Sequence, residues 1–334
     1  TTLPRMYRYV DDALRPDDAG RRPPLVRPFV RLGTWAGGDR DGNPFVTPSV
    51  TIKAAAIAAE HVLLGLEHTA TLIARSITLD SDATPPSPEL TALWHSLSLA
   101  DEAGAAAAKL SGPNEPHKQA MALITRRIVA TRRRDADLAY ANPDLLLADL
   151  RVVQDSLRAA GALRQAFGTL QTLMWQVETF GFHLADLEVR QHSAVHAKAL
   201  AECEAGGQRS AKTVEVLEVF HAVAQTQRKY GLRAAGRYIV SFTQSADDLA
   251  AVYKLAKHSG AGAVLDVIPL FETFADLRAA RGILAEAVKH PEFAARLEET
   301  GGRLEVMLGY SDSSKDVGPL AANLALYDAQ VEIT

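Results

Sequence analysis

A single cysteine, Cys203, stands among 334 residues, so no internal disulfide can form and the composition suits a reducing compartment. Its neighbours Glu202 and Glu204 oppose the low thiol pKa that a cysteine nucleophile needs. Neither sign of charge dominates: 36 basic residues against 40 acidic ones give a net charge of −4. That balance argues against a general nucleic-acid binder and against a polybasic membrane clamp. No apolar run approaches the ~18 residues that a membrane span needs. Glycine-rich nucleotide loops follow none of the strand-like segments, which leaves a dinucleotide-binding oxidoreductase without support. With 22 Gly and 16 Pro, collagen-like and wholly disordered readings are excluded as well. What remains is ordinary globular material, long enough for about two domains or one large α/β barrel with additions. A cytoplasmic protein without nucleic-acid or membrane partners is expected.

The chain has three textures. Residues 1–46 read as loop-like and basic, around one buried strand, Phe29–Trp35, which ends in the turn signal Gly37-Gly38. Residues 47–183 read almost entirely as helix. Thr47-Pro48 has the pattern of an N-cap followed by a first-turn proline, and Pro116 and Asn142-Pro143 mark further helix starts. From Gly181 onward, short β-type runs at Leu184–Arg190, Arg237–Phe242, Val264–Phe271 and Leu304–Tyr310 alternate with helical stretches. That alternation is the signature of parallel βαβ units. The expected fold is α/β, strongly α-rich: an incomplete parallel β/α barrel of the TIM type, with about five of eight strands. Residues 1–334 then form one partial barrel domain, with residues 47–183 as a helical insertion.

Reactive side chains gather where these strands end. The first strand runs into Asp39-Arg40-Asp41-Gly42-Asn43, the second ends at Arg190-Gln191, and the third at Ser241 with Thr243 beyond it. The fourth ends at Glu272, and the fifth leads into Ser311-Asp312-Ser313-Ser314-Lys315-Asp316. Catalytic groups of β/α barrels come from several strand ends, whereas doubly wound sheets concentrate them at one switch point. Glu272 and Asp312 suit a hard divalent ion such as Mg²⁺ or Mn²⁺, which takes one or two carboxylates and keeps positions for water and substrate oxygens. Arg40 and Arg190 are bidentate donors for phosphate or carboxylate, and Lys315 supplies a point charge beside a developing oxyanion. The implied ligand is a small, metal-chelating, phosphorylated or carboxylated organic acid.

Five segments at these positions resemble the phosphoenolpyruvate carboxylase family: GTWAGGDRDGNPFVT (Gly33–Thr47), FGFHLADLEVRQHSAVH (Phe180–His196), YIVSFTQSADDLAAVYKLAK (Tyr238–Lys257), VIPLFETFADL (Val267–Leu277) and EVMLGYSDSSKDVG (Glu305–Gly318). GGDRDGNP and GYSDSSKD are long, rare strings. Val317 departs from the pattern, since the family usually carries a small residue there. The resemblance covers nearly the whole chain and implies the central part of a longer enzyme, about barrel strands two to six. It further implies carboxylation of phosphoenolpyruvate by bicarbonate to oxaloacetate and phosphate, with a metal on Glu272 and Asp312, Arg190 on substrate oxygens, Lys315 aiding phosphate transfer, and Arg40 and Asp41 in an active-site loop. A homotetramer is the family expectation for the full-length enzyme. The family's essential histidine motif, its arginine/glycine-rich loop and its effector site have no counterpart in this chain. Without them the isolated chain is expected to bind metal at most, without turnover. The alternative is a non-catalytic remnant serving as a binding or assembly module.

Simpler readings stand beside these. Asp39–Asn43 taken alone is an ordinary Asp-Gly turn, and it lacks the twelfth-position Glu of a calcium loop. Thr273 reads as a helix N-cap with Asp276 in the first turn. His192 and His196 share the i, i+4 spacing of a zinc pair, but no third ligand is indicated. Arg126-Arg127 and Arg132–Arg134 form a basic stripe that reads as a solvated face.

Overall fold

The computed structural model describes residues 2–334. They divide into two compact units, one comprising residues up to Leu32 together with Ala56–Ala185, the other Gly33–Ala55 together with Asp186–Thr334.

The first unit is helical. It contains α1 (Thr2–Leu14), most of α2 (Pro48–Ser76), α3 (Pro88–Ala100), α4 (Glu102–Ser111), α5 (Pro116–Arg133), α6 (Pro143–Ala159), α7 (Leu163–Phe167) and α8 (Thr169–Phe180). Prolines open α2, α3, α5 and α6, where the missing N–H costs nothing. The Asn142 side chain caps α6 by accepting from the Leu145 amide at 3.1 Å. Leu66, Ile73, Leu90, Met121, Ile124, Leu150 and Leu173 meet in one core. The basic stripe is paired with acids. Arg126 meets Asp101, Arg127 lies 3.1 Å from Asp149, and Arg132 lies 3.0 Å from Glu60 and 2.8 Å from Glu67.

Two readings of this unit are corrected. The beginning of the chain is not loop but the helix α1, because Tyr7 finds a long-range partner surface on Trp175 and Val26. The buried Asp11 is also neutralised by Arg22 at 3.0 Å. The local density of Arg and Pro carries no trace of either contact. In addition, α2 does contain a stretch long and apolar enough to cross a membrane by length and composition. Scattered charges such as Glu60 and Glu67 break every apolar run and conceal that average. Its Val62, Leu63, Leu66, Ala70 and Ile73 lie in the helical core.

The second unit holds five parallel strands in the order of their appearance: β1 (Gly33–Thr34), β2 (Asp186–His192), β3 (Arg237–Ser241), β4 (Asp266–Phe271) and β5 (Met307–Leu308). Every neighbouring pair is parallel, with Arg190 opposite Ile239 and Ile239 opposite Ile268. The helices of this unit are α9 (Ser193–Ala205), α10 (Ala211–Tyr230), α11 (Ala246–Ser259), α12 (Phe274–Ala287), α13 (Pro291–Glu299), α14 (Tyr310–Val317) and α15 (Pro319–Ile333). This is an incomplete α/β barrel. Alternate strand residues face opposite ways. Leu187, Val189, Tyr238, Val240 and Val267 pack with α9, α10 and α11, while Ile239, Ile268 and Leu270 form a separate cluster with Met307. Burial on both faces explains the continuous apolar runs of β3 and β4.

The outer strands are shorter than their sequence patterns. Phe29–Trp35 pairs only at Gly33–Thr34, and Leu304–Tyr310 only at Met307–Leu308, after which Tyr310 already begins α14. A hydrophobic run pairs only as far as its neighbour does, and Phe29 instead sets its ring against Tyr7 at 5.1 Å.

Candidate active site

Arg190, two residues before the end of β2, organises the site. Its Nη2 donates to Asp41 Oδ2 at 3.0 Å and to Glu272 Oε1 at 3.1 Å, and Asp39 Oδ1 lies 3.8 Å from Nε. The guanidinium also lies over the Trp35 ring, 5.0 Å from its centroid. Of the residues anticipated from sequence, Arg190, Asp41 and Glu272 therefore meet, and with Asp39 three carboxylates share one cation.

Glu272 follows β4 directly and is 2% exposed. Burial pushes its carboxyl above the ordinary range. Arg190 and the Phe242 amide oppose that shift, while the charges of Asp312 and Asp41 reinforce it. One of its oxygens, Oε2, is buried without a hydrogen-bond partner. Phe242 has φ +51°, a left-handed conformation that is costly for a non-glycine residue and recurs at functional sites. The strain is held by two contacts: Ser193 Oγ donates to the Phe242 carbonyl at 2.7 Å, and the Phe242 ring stacks on His192 at 4.6 Å. Thr273 beyond Glu272 forms a capping box with Asp276 and so fixes where α12 starts.

Asp312 and Lys315 sit in α14, three residues apart, with Lys315 Nζ 2.8 Å from Asp312 Oδ1. Asp41 also accepts from the buried Ser241 hydroxyl at 2.8 Å. Arg40 goes elsewhere. Its guanidinium turns away from this cluster and pairs with Glu215 on α10. His192 and His196 do not form a pair. His192 caps α9 through Nδ1, and His196 is buried with Nε2 2.9 Å from the Tyr238 hydroxyl.

An oxygen-only donor set suits a hard divalent cation. The orphaned Glu272 Oε2 is an acceptor of the kind such an ion would satisfy, with Asp312 as second carboxylate. Among the described residues no cluster of three or more His, Cys, Asp or Glu has metal-binding geometry, so this pair would leave most positions to water and substrate.

The family model described as phosphoenolpyruvate carboxylase matches residues 1–207 and 204–334, which together span the chain. The chain belongs to the phosphoenolpyruvate carboxylase family. It is 36% identical over 368 residues to the phosphoenolpyruvate carboxylase of Xanthomonas oryzae pv. oryzae, covering 99% of this chain and 40% of that protein. The corresponding enzymes of Rhodopseudomonas palustris and Roseiflexus castenholzii are 33% and 35% identical, again with 40% of their length covered. The chain thus spans about two fifths of the curated relatives that it matches.

Within this carboxylase segment, several contacts of the site lie beyond what the sequence reading assigned. Ser241 carried a signal, as a polar residue closing a strand, but its bond to Asp41 shows only in three dimensions. Trp35 donates to Glu188, which lies 3.3 Å from Arg237, and Arg237 lies 3.0 Å from Glu305. Nothing in the sequence announced that row of charges, nor the place of Glu215.

Proposed function

We propose that this chain is the part of a phosphoenolpyruvate carboxylase that supplies the metal and anion-binding strand ends. The full-length protein would join bicarbonate to phosphoenolpyruvate, giving oxaloacetate and phosphate, in the cytoplasm and as a homotetramer. The observation that carries this reading is the meeting of Arg190, Asp41 and Glu272, drawn from three separate motifs, at one point. Glu272 and Asp312 would hold Mg²⁺ or Mn²⁺, which supplies Lewis-acid charge for the phosphate and enolate oxygens. Arg190, a rigid fork seated on the Trp35 face and already carrying Asp41 and Glu272, would grip a substrate oxyanion as the metal draws off Glu272. Asp41 keeps that fork in one orientation and is itself held by Ser241. Lys315 lies in an exposed position on α14 and would exchange Asp312 for phosphate oxygens during transfer to bicarbonate. Arg40, turned onto Glu215, would serve this machinery only by holding the loop that carries Asp41.

Mn²⁺ titration of the chain, followed by the paramagnetic signal of free Mn²⁺, tests the reading. The wild-type chain is expected to bind. Glu272→Gln and Asp312→Asn should each weaken binding at least about tenfold, as loss of a ligand does. Equal binding by all three chains would overturn the assignment of the pair. In a parallel assay with phosphoenolpyruvate, bicarbonate and Mg²⁺, the isolated chain is expected to form no oxaloacetate. Turnover that vanished in Lys315→Ala would show that it needs no further segment.

A further inference from the structure

The loop Gly37–Pro44 has two faces. Asp39 and Asp41 point to Arg190, whereas Arg40 between them enters the layer containing Tyr238 and α10. Such alternation is what extended backbone produces. The loop is extended here because it bridges to β2: the Arg40 amide donates to the Arg190 carbonyl at 3.0 Å, and the Arg190 amide donates to Gly38 at 2.9 Å. Gly38 makes this approach possible, since a Cβ there would collide with the Glu188 carbonyl.

Arg40 is deeply buried, its side chain 2% exposed, and its Nε and Nη1 have no hydrogen-bond partner. Its surroundings are otherwise neutral. Tyr238 stacks on Phe220 with centroids 5.5 Å apart and shares its hydroxyl with His196. Among the described residues, the carboxylate paired with Arg40 is that of Glu215, the fifth residue of α10. Glu215 is itself steadied by Lys212 at 3.0 Å. A buried cation stripped of its counter-charge is among the costliest single defects in a fold.

We propose that Glu215 is a positioning residue of the site: through Arg40 it pins the loop to β2, so that Asp41 stays on Arg190. It touches no reacting group. Without its carboxylate, Arg40 has no compensation in its slot and must withdraw toward solvent. Its neighbours alternate with it, so its withdrawal drags Asp39 and Asp41 off Arg190. The consequence for catalysis rests on the function proposed above; the anchoring itself does not.

Hydrogen exchange on the whole chain, read by mass spectrometry, tests this. In Glu215→Gln, amides within residues 36–46 should exchange at least about tenfold faster, while those of β3 and β4 stay within about twofold of wild type. Glu215→Asp, which keeps the charge, should return the loop most of the way. Should Glu215→Gln not fold, Arg40→Ala replaces it, which removes the pin without leaving a charge buried, since Glu215 is 26% exposed, and carries the same expectation. The proposal is overturned if loop protection is unchanged, if loop and strands accelerate alike, if Asp behaves as Gln does, or if neither variant folds. Exchange is measured without metal or substrate. A chain that failed the Mn²⁺ test would still decide the role of Glu215.

Discussion

Arg190 Nη2 lies 3.1 Å from Glu272 Oε1, joining the second strand to the end of the fourth across the strand between them. Both side chains are largely buried, at 16% and 3% exposure. Removing the guanidinium leaves a buried carboxylate with no cation beside it, a change worth about 3 kcal/mol in comparable pairs. Arg190→Met should therefore lower unfolding stability by about that amount in urea titrations at neutral pH. The loss should shrink in acid, where Glu272 takes up a proton. A pH-independent loss would mean that packing against Trp35, not charge, is what Arg190 contributes.

Glu272 illustrates a site that works against its own fold. Burial raises its carboxyl above the ordinary value of 4.5, so the folded chain holds that proton more tightly than the unfolded chain does. Stability attached to the protonated form is complete below 4.5 and is lost as pH rises through the raised pKa. Glu272→Gln should consequently raise the urea midpoint of the metal-free chain at pH 8, and the gain should fade toward pH 4. The same variant should bind Mn²⁺ at least about tenfold more weakly. A lower midpoint at pH 8 would show that Arg190 needs Glu272 more than Glu272 suffers from burial.

Lys315 is 76% exposed and its partner Asp312 46%, so the pair contributes little to stability. Lys315→Ala should leave the unfolding midpoint unchanged within error. With a metal on Asp312 its ammonium would compete for that carboxylate, and its removal should tighten Mn²⁺ binding by about two- to fivefold, the worth of an exposed ion pair. Weaker binding in Lys315→Ala would place Lys315 in the support of the metal site.

Two of the three buried histidines, His117 and His196, should contribute to the acid response. Burial pushes His196 down to about 3 and His117 to about 4, from an ordinary 6.5. Between 6.5 and those values the unfolded chain binds protons that the folded chain refuses. Stability is therefore complete above 6.5 and falls as pH falls, by up to about 1.4 kcal/mol per pH unit for each histidine. Unfolding at pH 7, 6 and 5 should show this slope, and His196→Gln and His117→Gln should each flatten it. Slopes equal to wild type in both variants would assign the acid response to carboxylates.

Much of this protein was legible in one dimension. Proline and Asn-Pro pairs located the helix starts, because capping is decided by residues adjacent in sequence. Strand, helix and strand again announced parallel units, and polar residues closing each apolar run marked the edge that carries chemistry. Rare strings such as GGDRDGNP and GYSDSSKD identified the family before any geometry was known.

What the sequence by itself determined are properties carried by neighbours along the chain: element type, order, caps, and which residues stand at strand ends. Only the tertiary structure decided which way a side chain points and what it meets. Asp41 faces Arg190 while Arg40, one position earlier, faces Glu215, 175 residues away in the chain. The strand length of Phe29–Trp35 and the helix at the beginning of the chain were decided in the same way, by pairing and burial against distant partners. Such contacts depend on where the backbone folds in space, and no periodicity or motif at either residue records them.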